Sequence, residues 1–191
     1  MSKKKIVYMG MSADIIHPGH LNIIDKASKY GLVIVGVLTD KAIASYKRVP
    51  FMNFKDRKNI VENLKKVFKV IPQNSLDYSK NLREIRPDYV VHGDDWKKGA
   101  QKTTREKVIK LIKSWGGTLI EVPYYKGYSS TVLNEKLKNH GITNDIRRSS
   151  LKRILSVKKT SIFMEAHNGL SGSIVENIKH GNKQFDGIWL N

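Results

Sequence analysis

Cysteine is absent from the 191-residue sequence, which excludes disulfide bonds, thiolate zinc sites and cysteine nucleophiles. Long apolar runs are also missing, because the longest, residues 32–38, is far too short to cross a bilayer. Three lysines near the N-terminus precede a strand-like stretch, with no apolar signal segment or cleavage site. We therefore expect a soluble cytoplasmic protein that does not associate with membranes.

Acidic residues are scarce: 17 Asp and Glu stand against 35 Lys and Arg, and the formal net charge is +18. Such an excess suits either a nucleic-acid binder or an enzyme whose substrates are polyanions. The lysines are scattered along the predicted helices and do not form one dense basic arm. We favour small polyanionic substrates over nucleic acid. A non-catalytic basic module that binds nucleotides or nucleic acid is the alternative from another class.

Short apolar runs alternate with segments of helical spacing along the first 140 residues. The predicted strands lie at 6–9, 32–38, 69–72, 89–91 and 118–122. The predicted helices lie at 18–30, 54–68, 82–85, 103–115 and 129–137. Strands that alternate with helices imply right-handed crossovers and a parallel sheet. The pattern predicts an α/β fold with a Rossmann-like, doubly wound, parallel five-stranded sheet.

The composition changes after residue 140 and divides the chain into three parts. Residues 1–140 form the predicted domain, and the polar stretch 141–150 is typical of a linker. Residues 151–191 are too few for an independent core. They hold a predicted helix at 151–157, a strand at 161–164, and at most one further helix and strand.

The loop after the first strand carries the motif His17-Pro18-Gly19-His20. In a doubly wound sheet, ligands bind beyond the carboxyl ends of the strands, where the strand order reverses. Two imidazoles at the N-terminus of the next helix, with its N–H groups and positive dipole, favour phosphate and can stabilise charge that builds at phosphorus. A metal site and an ordinary loop are the alternatives.

The stretch 10–20 resembles the opening loop of the cytidylyltransferases that act on glycerol 3-phosphate, phosphocholine and phosphoethanolamine. Three later motifs resemble the same family in the same order: Phe-Lys-Asp-Arg-Lys at 54–58, Gly-Asp-Asp-Trp at 93–96 and Gly-Tyr-Ser-Ser-Thr at 127–131. The resemblance implies an enzyme with the His-x-Gly-His motif that transfers CMP from CTP to an acceptor oxygen. It also implies Mg²⁺ bound with CTP and the release of pyrophosphate.

The motifs and the resemblance together give the candidate site residues three roles. The predicted catalytic residues are His17, His20, Lys47 and Arg57. The predicted nucleotide-binding residues are Gly10, Met11, Ser12, Asp14, Gly19, Gly93, Asp94, Asp95, Tyr128, Ser129, Ser130 and Thr131. The predicted acceptor-binding residues are Arg48 and Lys126; the protein itself supplies no dedicated metal ligands.

Several of these residues also have a plain structural interpretation. Arg57 could form a surface ion pair with Asp56 or Glu62, and 94–95 could form a turn. Residues 129–131 could simply cap a helix, and 47–48 could be a solvated loop. The sequence departs from the family motif at 124–126, where Tyr-Tyr-Lys replaces an Arg-Thr pair, and at 11–13, where Met-Ser-Ala replaces the usual Thr-Phe.

The segments Met164–Gly172 and Phe185–Trp189 resemble the first strand, helix and second strand of phosphoenolpyruvate mutase, a barrel enzyme that forms carbon–phosphorus bonds. The resemblance implies that the chain is the N-terminal part of a cytidylyltransferase–mutase fusion. The acceptor is then a phosphonate, 2-aminoethylphosphonate or 2-hydroxyethylphosphonate. A glycerol-3-phosphate or phosphocholine-type cytidylyltransferase and an adenylyltransferase of the same superfamily are the alternatives, and a homodimer is left open.

Overall fold

The computed structural model describes residues 4–46, 48–97, 101–123, 133, 144–178, 180 and 184–191. Its main sheet contains β1 (Ile6–Met11), β2 (Leu32–Leu38), β3 (Val67–Gln73), β4 (Tyr89–Gly93) and β5 (Thr118–Val122). All pairings are parallel, in the order β3-β2-β1-β4-β5. The predicted five-stranded, doubly wound parallel sheet is therefore confirmed.

The helices of this part of the chain pack on both faces of the sheet. They are α1 (Pro18–Ser28), α2 (Asp40–Ala44), α3 (Phe54–Glu62), α4 (Ser79–Ile85) and α5 (Lys102–Lys113). One apolar cluster joins residues of α1 and α3 to the strands, and a second joins residues of α4 and α5 to the opposite face. The central strands are buried on both faces, which explains their continuous β-branched runs.

Two helices differ from the prediction. The helix predicted over 54–68 ends at Glu62, because Val67 and Phe68 already belong to β3. The sequence analysis missed α2, a short helix capped by Thr39, whose Oγ1 accepts a hydrogen bond from the backbone N–H of Ala42 (3.3 Å). The predicted helix at 129–137 lies outside the described residues, apart from position 133.

The C-terminal segment begins with helix α6 (Asn144–Val157). Residues 144–150, predicted as a linker, form the first half of this helix. A strand, helix and strand follow: β6 (Phe163–Ala166), α7 (Gly169–Asn177) and β7 (Gly187–Leu190), with β6 and β7 paired in parallel. This order matches the prediction, but the described residues form a two-stranded unit and no barrel. Among them, none of the helices combines the length and apolarity needed to cross a membrane.

Candidate active site

The strand order reverses between β1 and β4, which are paired at Val7 with Tyr89 and at Tyr8 with Val90, before their carboxyl ends. From β1 the chain proceeds through β2 and β3 to one edge, and it then returns to the other side of β1 with β4 and β5. A cavity of about 350 Å³ opens there. Its lining includes the predicted residues Gly10, Met11, Ser12, His17, Gly19, His20, Gly93 and Asp95. The sheet topology therefore brings the motif at 17–20 and the motif at 93–96 to one crevice.

The two histidines form a reciprocal cap at the start of α1. His17 is the N-cap residue, and its Nδ1 accepts a hydrogen bond from the backbone N–H of Gly19 (3.2 Å). The Nδ1 of His20 accepts in turn from the backbone N–H of His17 (3.4 Å), and the ring centroids lie 4.0 Å apart. Because each Nδ1 acts as an acceptor, the neutral rings carry their proton on Nε2.

This arrangement suits phosphate better than metal. Each Nε2–H is a hydrogen-bond donor beside a helix N-terminus, where the backbone dipole also favours an anion. Among the described residues, no group of three or more His, Asp or Glu side chains could hold a metal ion. The described lining of the cavity contains no Lys or Arg. The donors that this lining offers to a phosphate are therefore neutral groups: imidazoles, backbone N–H groups, hydroxyls such as that of Thr104, and the amide of Gln101.

The pKa of the His17 imidazole is lowered from its ordinary value of about 6.5, because the ring is partly buried. The unfolded chain then binds this proton more tightly, so the free energy of unfolding falls as the pH drops below that value. We expect His17→Asn, which keeps an N-cap acceptor, to be about as stable as wild type near pH 8 and more stable near pH 5.5. Urea denaturation at both pH values measures the free energy of unfolding of the two proteins. An equal change in this free energy between pH 8 and pH 5.5 in both proteins would contradict the expectation.

Arg57 does not line the cavity. Its side chain is fully buried, and it donates to the carboxylate of Asp40 (2.7 Å), to the carbonyl of Met52 (3.1 Å) and to the carbonyl of Ser12. The alternative ion pair of Arg57 with Asp56 or Glu62 is not formed, because Arg57 pairs with Asp40. Its predicted contact with phosphate stays a prediction. Arg57 instead joins α2 and α3 to the loop that follows β1.

Asp14 also has a structural role. It is 5% exposed, and its carboxylate accepts from the backbone N–H groups of Phe51 and Met52 (3.0 Å each). The chain reaches this position through Ala13, whose φ of 52° is unusual for a residue other than glycine. Asp14 therefore joins two loops, and its predicted contact with the nucleotide stays a prediction.

Two further predicted residues, Arg48 and Asp94, are described by the structure and do not line the cavity. Arg48 is exposed and donates from Nε to Oε1 of Gln184 (2.8 Å). Asp94 opens the short 3-10 turn Asp94–Lys97 and is not among the cavity-lining residues. Six predictions fall outside the described residues: Lys47, Lys126, Tyr128, Ser129, Ser130 and Thr131.

Sequence reasoning missed three aromatic residues that line the cavity: Tyr46, Tyr78 and His92. His92 stacks on Trp96, with ring centroids 3.8 Å apart and planes at 4°, and burial lowers the pKa of its imidazole. Burial raises the pKa of Tyr46 to about 12, so its phenol stays protonated. The available signal was positional, because His92 directly precedes the Gly93 that ends β4.

Glu121, on β5, binds Trp96, the residue on which His92 stacks. Its carboxylate accepts two hydrogen bonds from Arg105 (2.9 and 3.0 Å) and one from the indole N–H of Trp96 (2.9 Å). The Arg105 bonds, followed by the Trp96 bond, hold the pKa of Glu121 at about 2. The network keeps the 3-10 turn, and with it Asp95, at the cavity.

Tyr78 packs directly against the end of β1, where only a glycine leaves room for it. A Cβ atom on Gly10 would overlap the phenol ring and hydroxyl of Tyr78. We expect Gly10→Ala to lower the free energy of unfolding by about 1–3 kcal/mol and to displace Tyr78 from the cavity. Gly169→Ala is the matched control, because nothing lies within 4 Å of a Cβ built there. Equal stability of the two variants in urea denaturation would contradict the expected overlap.

A parallel α/β sheet with paired imidazoles at a helix N-terminus, at the strand-order reversal, is typical of nucleotide-binding domains of the nucleotidyltransferase class. The sequence pattern described as cytidylyltransferase-like matches residues 8–136. The chain therefore belongs to the cytidylyltransferase-like family.

Known proteins are similar to the same part of the chain. An FAD synthase from Ferroglobus placidus is 35% identical over 92 residues, which cover 48% of this chain and 60% of that protein. A D-beta-D-heptose 1-phosphate adenylyltransferase from Bordetella bronchiseptica is 27% identical over 139 residues, covering 71% of this chain and 83% of the relative. The crystal structure of a lipopolysaccharide core biosynthesis protein from Thermoplasma volcanium has the same fold, with a TM-score of 0.55 and 24% identity, covering 66% of this chain and all of that one.

Proposed function

We propose that the protein transfers CMP from CTP to the phosphonate or phosphate oxygen of a small acceptor and releases pyrophosphate. The observation that carries this proposal is the His17–His20 cap, which presents two Nε2–H donors at the strand-order reversal. A module that binds nucleic acid through scattered surface lysines has no need for such donors inside a cavity, whereas a nucleotide-binding module is distinguished by the absence of pyrophosphate release.

The chemistry requires no nucleophilic side chain. An acceptor oxygen attacks the α-phosphorus of the nucleotide, the bond to the β-phosphate oxygen breaks, and pyrophosphate leaves with its electron pair. Negative charge grows on the phosphoryl oxygens in the transition state, where Nε2–H of His17 and His20 would donate hydrogen bonds. Because Nδ1 of each ring holds a backbone N–H, the donors are oriented before the nucleotide arrives.

Mg²⁺ is proposed to enter with the nucleotide. In nucleotide sites this ion is usually held by one or two carboxylates together with the substrate phosphates. The cavity fits this mode, because Asp95 places one exposed carboxylate at its lining, whereas no protein cage of three ligands exists among the described residues. When bound, the ion would neutralise part of the triphosphate charge.

The preference for a phosphonate acceptor rests on the C-terminal segment. Its parallel strand–helix–strand unit has the order of the opening of a phosphoenolpyruvate mutase barrel. Leu170, Ile174, Trp189 and Leu190 are more than half exposed, as expected for a unit that is covered by further elements in a barrel. An enzyme joined to a phosphonate-forming barrel would act on 2-aminoethylphosphonate or 2-hydroxyethylphosphonate.

Adenylyl transfer is the second candidate, and the names of the relatives favour it. One is called an FAD synthase and another an adenylyltransferase that acts on a sugar phosphate. The two candidates differ in the base of the nucleotide and share the same phosphate chemistry.

A pyrophosphate-release assay separates the candidates. The full chain is incubated with Mg²⁺ and CTP, ATP, UTP or GTP, each with 2-aminoethylphosphonate, 2-hydroxyethylphosphonate, glycerol 3-phosphate, phosphocholine or FMN. We expect the highest rate with CTP and a phosphonate. A preference for ATP would establish the second candidate. Absence of release in every combination, together with salt-sensitive RNA or DNA binding, would overturn both.

A further inference from the structure

The C-terminal segment contacts the five-stranded domain through the backbone of residues 50–52, here called the 50–52 segment. Arg153, on α6, donates from Nη1 to the carbonyl of Phe51 (2.6 Å) and from Nη2 to the carbonyl of Pro50 (2.8 Å). This arginine lies outside residues 8–136, the part of the chain that matches the family.

The same peptide groups are bound from the other side by Asp14. Its carboxylate accepts from the N–H groups of Phe51 and Met52. The peptide that joins residues 50 and 51 therefore accepts from Arg153 through its carbonyl and donates to Asp14 through its N–H. The peptide that joins 51 and 52 does the same.

Two peptide units thus connect a guanidinium to a carboxylate. A positive charge at the carbonyl and a negative charge at the N–H polarise a peptide in the same sense, so each hydrogen bond strengthens the other. The planar fork of an arginine matches two adjacent carbonyls, which a lysine ammonium cannot reproduce. Arg57 is a third side chain that binds the segment, through the carbonyl of Met52.

Asp14 and the 50–52 segment are each close in sequence to a residue that lines the cavity. Asp14 lies three residues before His17 on the same loop, and Tyr46, four residues before Pro50, lines the cavity. A second contact ties the region to the C-terminal segment, because Arg48 donates to Gln184. Helix α6 also packs against α2, which supplies the Asp40 partner of Arg57.

We propose that Arg153 is a positioning residue for nucleotidyl transfer: by holding the 50–52 segment against Asp14, it aligns the His17 loop with the loop that carries Tyr46. The C-terminal segment is then part of the working transferase site. This inference rests on the proposed function, and it assigns no contact between Arg153 and the substrate.

The test compares Arg153→Met with Lys152→Met in the full chain. Lys152 is the exposed neighbour on the same helix, so its variant removes the same charge without touching the 50–52 segment. We expect Arg153→Met to lower kcat/KM for pyrophosphate release about 10- to 100-fold, since a misplacement of about 1 Å can cost 10²-fold. Its melting temperature should fall by only a few degrees. Lys152→Met should match wild type.

Chemical rescue separates positioning from general destabilisation. Millimolar methylguanidinium should restore part of the activity of Arg153→Ala and leave wild type unchanged. Should Arg153→Met not fold, Arg153→Lys, which keeps a single donor group, should have intermediate activity. Wild-type activity in the folded Arg153 variants, or failure of rescue in Arg153→Ala, would overturn the proposal.

A readout independent of turnover keeps this inference distinct from the proposed function. Hydrogen exchange at the amides of Phe51 and Met52 should become faster in Arg153→Met, because their bonds to Asp14 lose polarisation and support. Unchanged exchange would overturn the connection even in an active enzyme. Absence of turnover in wild type would overturn the proposed function, and amide exchange would still decide whether the connection exists.

Discussion

The double variant His17→Asn/His20→Gln should lose about 10⁴-fold in kcat for pyrophosphate release and keep its fold. Removal of one preorganised donor to a developing oxyanion typically costs 10²–10³-fold, and two neighbouring donors act partly as a unit. Asparagine is as good an N-cap as serine or aspartate, and glutamine at the third helical position is the usual partner in a capping box. These replacements therefore keep the helix cap and remove both imidazoles.

Two comparisons make this result specific. His17→Ala/His20→Ala should lose the same activity and also about 1 kcal/mol of stability, because the cap is gone as well. His167→Asn removes an exposed imidazole in the C-terminal segment and should leave the rate unchanged. Near-wild-type turnover of the double variant with CTP and the best acceptor would refute the role of the histidines.

The strands were predictable because the central strands of a parallel sheet are buried on both faces and read as continuous apolar runs. The end of α3 could not be predicted, because Leu64, Val67 and Phe68 continue the helical spacing of apolar residues. Val67 and Phe68 nevertheless belong to β3. Helix α2, five residues long, is too short to show a period. The polar stretch 144–150 has a composition that suits a solvated helix as well as a linker.

The site was predictable where it is local. His17 and His20 lie three residues apart, and their place after β1 follows from the fold class alone. Tyr46, Tyr78 and His92 come from three separate parts of the chain, so only the folded sheet brings them together. A single sequence gives no sign of that proximity.

For Arg57 the alternative ion-pair partners were wrong, whereas its predicted contact with phosphate remains a prediction. A phosphate-binding arginine and a buried structural one look the same in sequence, because both use the planar guanidinium. The predicted structural partners were nearby in the chain, whereas the true partner, Asp40, lies 17 residues away on α2, a helix that the sequence analysis missed. Because α2 was not predicted, Asp40 was not considered as the partner of Arg57.

Replacement of Arg57 by methionine should lower the free energy of unfolding by about 3–5 kcal/mol, because it leaves the carboxylate of Asp40 and the carbonyls of Ser12 and Met52 without their donor. The comparison is Lys58→Met, which breaks an exposed ion pair with Glu62 and should cost at most about 0.5 kcal/mol. Urea denaturation of both variants measures the difference.

A second substitution identifies the cause of the loss. Asp40→Asn removes the charge that Arg57→Met leaves unpaired, so the double variant should recover part of the stability even though it lacks the ion pair. A phosphate-binding Arg57 predicts the opposite pattern. Arg57→Met would then stay as stable as wild type, nucleotide affinity would fall, and Asp40→Asn would restore nothing. Because the guanidinium is fully buried and bound to three partners, we expect Arg57→Met to be unstable and Asp40→Asn to restore part of the lost stability. Any effect on turnover would then follow from displacement of the loop that carries Ser12.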